Sequence, residues 1–72
     1  MDVLADARER LIQQDPQFRR LARKHQEYDD RLKALRAQRF PTEEEKLEEV
    51  TLKKLKLAVK DQMEQILRRE RV

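Results

Sequence analysis

The sequence predicts an all-α protein, a long antiparallel helical hairpin of coiled-coil character preceded by a short N-terminal helix. Three observations lead there. The chain of 72 residues contains no Gly and is rich in Glu, Lys, Arg, Leu, Ala and Gln, which lose little conformational freedom in a helix. Its apolar residues recur at alternating intervals of three and four, which places them on one helix face. Its two prolines each sit beside residues that start helices.

The first helix is expected over about residues 3–14. Asp2 suits the N-cap, and Val3, Leu4, Ala7, Leu11 and Ile12 fall on one face. The second, over about 16–38, begins at Asp15-Pro16. Asp caps helix N-termini, and Pro suits the first helical position because no intrahelical partner awaits its missing N–H. Phe18, Leu21, His25, Tyr28, Leu32 and Leu35 then form a heptad seam. Leu4 and Leu11 share that phase, so one kinked helix running on across Pro16 is the alternative. The break is preferred, because the residue before a proline is pushed out of helical geometry.

The pattern stops around Gln38-Arg39-Phe40-Pro41. Thr42 and Glu45 then form a capping box. The third helix, over about 43–69, carries Glu43, Glu44, Glu45, Glu48 and Glu49 near its positive end and Arg68, Arg69 and Arg71 near its negative end. A connection this short makes the second and third helices antiparallel neighbours. Folding about Phe40 sets Tyr28 against Leu52, His25 against Leu55, Leu21 against Val59 and Phe18 against Met63. Those partners lie on the stripe Leu52, Leu55, Val59, Met63 and Ile66. The third helix reaches past residue 16, so Leu4, Leu11 and Ile12 are expected to cover Ile66 and Leu67.

Composition bounds the function. A mean hydropathy of −1.10 and 46% charged residues describe a single small domain with a thin core. There is no Cys to staple it, so helix packing and self-association are expected to serve instead. No apolar run is long enough for a signal sequence or membrane span, and the expected location is the cytoplasm. The pI near 9.5 arises from 18 Lys and Arg set against 15 Asp and Glu. That balance describes a mixed, solvated surface more than a nucleic-acid footprint. Glu49 precedes Lys53 by four and Glu64 follows Lys60 by four, spacings that make ordinary helix pairs.

No catalytic site, cofactor, metal or small-molecule substrate is expected. The chain has no nucleophile–base pair and no phosphate-cradling Gly, and a two-helix hairpin is expected to have no concave pocket. His25 and Asp29 share a face and form a possible pH-sensitive seam pair, although His25 reads first as a packing residue. Phe18 and Tyr28 read as core. Val50 and Leu57, one heptad apart, point away from the hairpin seam, and Leu47 and Ala58 broaden that outer face. The candidate interaction face is therefore Val50, Lys53, Leu57, Lys60 and Asp61, with the apolar pair buried by a partner and the charged residues at its rim.

Asp15-Pro16-x-Phe18, Leu21-x-x-x-His25-x-x-Tyr28-Asp29-x-x-Leu32, and Leu52-Lys53-Lys54-x-Lys56-Leu57-x-Val59-Lys60-Asp61 with Met63 resemble the YdcH-like family of small uncharacterised bacterial proteins. Tyr28 stands where the family pattern has Leu, and Gln62 where it has Glu. The resemblance implies a cytoplasmic helical hairpin without an assigned biochemical function. The residues and the resemblance together predict a non-catalytic module that binds a protein partner or itself, as a homo-oligomer. The alternative is a nucleic-acid-associated accessory protein using the Arg and Lys surface.

Overall fold

The backbone leaves helical geometry at Asp15, whose φ of −109° and ψ of 108° are extended. Pro16 has no N–H to give the carbonyl of Ile12, and the amide of Gln17 turns to the Asp15 carboxylate at 2.9 Å. Two carbonyls at the end of the preceding helix thus lose their partners. Arg19 replaces both: its Nε donates to Ile12 O at 2.7 Å and its Nη2 to Gln13 O at 2.8 Å. The break is thereby satisfied from both sides, and the continuous kinked helix is not formed.

The computed structural model describes the backbone of residues 3–70 and the side chains of 6–69. The expected N-cap at Asp2, the side chains of Val3 and Leu4, and Arg71 lie outside the described residues. Three helices follow one another: α1 (Val3–Gln14), α2 (Pro16–Arg36) and α3 (Glu43–Glu70). No strand occurs among the described residues. α2 stops two residues short of the expected end, because Gln38 N bonds Leu35 O at 3.2 Å and tightens the last turn. The capping box forms as its sequence requires, with Thr42 N donating to Glu45 Oε1 at 2.9 Å and Glu45 N to Thr42 Oγ1 at 3.1 Å. These bonds hold the Glu45 carboxyl below its usual range. Phe40, in the turn, is exposed.

α2 and α3 pack as the hairpin, and α1 folds against the end they share, giving a body of 46 × 21 × 18 Å. One apolar cluster joins Ala7 and Leu11 of α1, Phe18 and Leu21 of α2, and Val59, Met63, Ile66 and Leu67 of α3. Phe18 is wholly buried, and the expected Leu21–Val59 and Phe18–Met63 neighbours share this cluster. Leu11 covers the end of α3 as expected, whereas Ile12 stays 38% exposed, on the outside of the α1–α2 corner. A second cluster, Leu32, Leu35 and Leu52, lies nearer the turn. Tyr28 packs against both.

The register differs from expectation at one place. Leu55, expected opposite His25, is 42% exposed. Lys56 takes the seam position instead, so the inward stripe of α3 is Leu52, Lys56, Val59, Met63 and Ile66. Both Leu55 and Lys56 flank the centre line of the stripe, at about 100° per residue. Lys56 lies on the flank where α2 presents Asp29 and the ammonium finds a carboxylate. The flank holding Leu55 has no helix beside it to bury it.

Candidate functional site

Two surfaces of α3 carry the candidate residues, and they lie on opposite flanks of the helix. The first begins with the polar layer between the two apolar clusters. Lys56 Nζ sits 2.5 Å from Asp29 Oδ1, and Lys33 Nζ lies 3.2 Å from Asp29 Oδ2. The hydrogen bonds from Lys56 and then Lys33 hold the Asp29 carboxyl at about 2. Ion pairs brace the hairpin on either side toward the turn: Arg31 bonds both carboxylate oxygens of Glu48, at 2.8 and 3.0 Å, and Arg36 Nε lies 3.2 Å from Glu49. Bidentate guanidinium–carboxylate geometry fixes orientation as well as distance. These arginines pull the Glu48 and Glu49 carboxyls below their ordinary values.

His25 and Asp29 do share a face, but the Asp29 oxygens are taken by lysines. Burial, followed by the Lys56 ammonium, pushes the His25 imidazole below its ordinary value against the opposing pull of Asp29. Arg8 and Lys60 add to the downward push. A base with a depressed value is favoured neutral in the fold, so its contribution is present at neutral pH and is lost as pH falls below about 6.5. Burial and the cations around the ring thus act on His25 together, a setting that the neighbouring carboxylate alone does not predict.

Beside this layer runs an open trough of about 520 Å³ lined by Arg8, His25, Leu32, Arg36, Lys53, Lys56, Leu57 and Lys60. Three helices contribute to it, and every charged residue in its lining is a cation. Glu49 reaches Lys53 at 3.5 Å, as its spacing predicts, and Asp29 neutralises Lys56. The expected Lys60–Glu64 pair is not among the ion pairs of the described residues, leaving Lys60 free beside Arg8. Three of the five candidate face residues, Lys53, Leu57 and Lys60, belong to this trough. Leu57 is 62% exposed along its margin.

The other two, Val50 and Asp61, are exposed on the back of α3, between the trough and a second, uncharged surface. There Leu47, Thr51, Leu55, Ala58, Gln62 and Gln65 repeat at intervals of four, four, three, four and three. All six are exposed, and none is charged. Leu47 is 69% exposed. In a chain that is 46% charged, five turns of helix without a charge on one flank form a pronounced feature. α1 packs on the other side of α3, around Leu67 and Arg8, so this flank is open along its length. Seam spacing marks Leu47 and Ala58 as outward-facing, but it sets Leu55 in the hairpin core and so leaves the stripe without its centre.

Among the described residues no group of three or more His, Cys, Asp or Glu side chains could hold a metal ion, and no helix is long and apolar enough to cross a membrane. No curated protein and no solved structure matches the chain. The family model for "Protein of unknown function (DUF465)" matches residues 18–67. That span takes in all of α2 but its first two residues, the turn, and α3 as far as its buried Leu67, so it includes the seam, the polar layer and both flanks. The chain belongs to this family of small, uncharacterised, YdcH-like bacterial proteins.

Proposed function

We propose that the protein is a non-catalytic interaction module that meets its partner through the uncharged flank of α3. The observation that carries this reading is the run Leu47, Thr51, Leu55, Ala58, Gln62 and Gln65, exposed together on a helix that is otherwise densely charged. Isolated exposed leucines need no explanation. A stripe at seam spacing on an unpartnered helix face does, because that geometry accepts the knobs of another helix. The Arg31–Glu48 and Arg36–Glu49 pairs tie α3 to α2 near the turn and leave this flank uncovered.

Leu55→Glu is expected to abolish association while leaving the helical circular dichroism unchanged, since Leu55 is outside both apolar clusters. Leu57→Glu, in the trough, is expected to leave association intact. Sedimentation velocity and crosslinking in cells read both variants. The proposal fails if neither wild-type self-association nor any wild-type crosslink is altered by Leu55→Glu.

The trough supports a second reading, in which Arg8, Lys53 and Lys60 contact nucleic acid. Counterion release makes such binding fall steeply with salt. Absence of a gel shift with duplex DNA or RNA at low salt excludes it.

A further inference from the structure

We propose that the occupant of the uncharged flank is a second copy of the same chain, packed antiparallel to the first about a two-fold axis beside the Lys56–Leu57 peptide. This rests on the interaction reading above and names its partner. A two-fold interface must be self-complementary, each contact occurring twice, and the flank satisfies that requirement along its whole length.

Set α3 antiparallel against its own copy with the axis at that point. Leu55 then meets Ala58 of the other copy, a large residue against a small one. One turn outward, Thr51 meets Gln62, and beyond them Leu47 meets the aliphatic stem of Gln65. The stripe ends in Glu44 at one extreme and Arg69 at the other, and these two also come opposite each other. Lys54 and Asp61, along the same edge of the stripe, fall within one turn of each other across the interface. Glu44, Lys54, Asp61 and Arg69 enter none of the ion pairs among the described residues, so each is free to pair between copies.

The reverse orientation has no such match. A parallel pair brings the acidic start of one α3, with Glu43, Glu44 and Glu45 in its first turn, against the same residues of the other. It also aligns the two helix dipoles, whereas the antiparallel pair sets the acidic first turn beside Arg68 and Arg69 of the last turn. Charge complementarity thus selects both the partner and its direction.

The chain has no Cys, so an introduced thiol reports contacts without background. Thr51→Cys and Gln62→Cys, prepared separately and mixed under mild oxidation, are expected to give mainly the mixed disulfide. In the proposed arrangement, Thr51 of one copy lies about 16 Å along the axis from Thr51 of the other, too far for a bridge. Both positions are exposed, so neither substitution endangers the fold. Predominant Thr51→Cys homodimers would overturn the proposal in favour of a parallel pair. Crosslinking no greater than that of Arg23→Cys on the far side of α2 would overturn it altogether.

Charge reversal gives an independent reading. Glu44→Arg alone is expected to weaken dimerisation on the order of ten-fold, from two exposed pairs turned repulsive. Glu44→Arg with Arg69→Glu is expected to restore it. A double variant no stronger than the single one argues against the register. Should the wild type prove monomeric while Leu55→Glu still abolishes a crosslink to a different protein, the antiparallel dimer is wrong and the interaction reading stands.

Discussion

Phe18→Ala is expected to leave the chain without a cooperative unfolding transition at room temperature. Phe18 is wholly buried at the meeting point of all three helices, in the cluster that includes Leu11, Leu21 and Met63. Removing a buried phenyl ring costs about 3–5 kcal/mol, and a single core in a chain of this size supplies only about 3–5 kcal/mol in all. The two quantities are comparable, so the fold has no reserve to absorb the loss. The far-UV signal should decay gradually on heating, without a sigmoidal step. Retention of a sharp transition within a few degrees of wild type would mean that the three-helix junction is not the centre of stability.

Lys56→Met is expected to act in the opposite direction. Lys56 stands in the seam between two apolar clusters that Tyr28 bridges. An unbranched apolar side chain there joins them. Exchanging a largely buried ion pair for apolar packing is often neutral or stabilising, by up to a few kcal/mol. Here the pair is only partly buried and Asp29 keeps Lys33 at 3.2 Å, so a modest rise in melting temperature is the expectation. The pH profile should change as well. In the wild type, a carboxyl held at about 2 makes its stabilising contribution above the ordinary carboxylate range near 4, and loses it as pH falls from there toward 2. In Lys56→Met the Asp29 part of that acid-dependent loss should shrink. A variant less stable than wild type at neutral pH, with an unchanged acid limb, would contradict this role for Lys56.

A polar residue in a helical seam often fixes register at some cost in stability. The Lys56–Asp29 contact is suited to that role, because sliding α3 by a turn would take the ammonium away from its carboxylate partner. Arg31–Glu48 and Arg36–Glu49 reinforce the same register from the surface.

The helices and their boundaries were legible in the sequence because they are set by local chemistry. Asp15-Pro16 and Thr42 with Glu45 act over three or four residues, and the structure realises both. The Leu21–Val59 and Phe18–Met63 neighbours were legible because both stripes are apolar at those levels. Near the middle of the hairpin, Leu55 and Lys56 flank the seam equally. Hydrophobicity favours the leucine there, and only a carboxylate on the other helix tips the choice to the lysine. That decision is non-local, and periodicity within one helix does not contain it. The placement of Leu55 also bears on the candidate surface. With Leu55 assigned to the core, the uncharged stripe lost its central residue, and Val50 and Leu57 stood out in its place. Of that expected face, Lys53, Leu57 and Lys60 line the cationic trough, while Val50 and Asp61 are exposed between it and the uncharged flank. The role of Arg19 was invisible for a similar reason, since its guanidinium reaches back over a break whose carbonyls the sequence shows only as ordinary helix residues.

The central claim is that the uncharged flank of α3 is the surface on which this protein meets another copy of itself. Backbone amide shifts followed by NMR as the protein is concentrated from micromolar to millimolar test it most directly. The expected result is a concentration-dependent set of shifts confined to the run from Leu47 to Gln65 on that flank, strongest at Thr51, Leu55 and Ala58. Shifts confined instead to the trough residues Lys53, Leu57 and Lys60, or spectra that do not change with concentration, would contradict it.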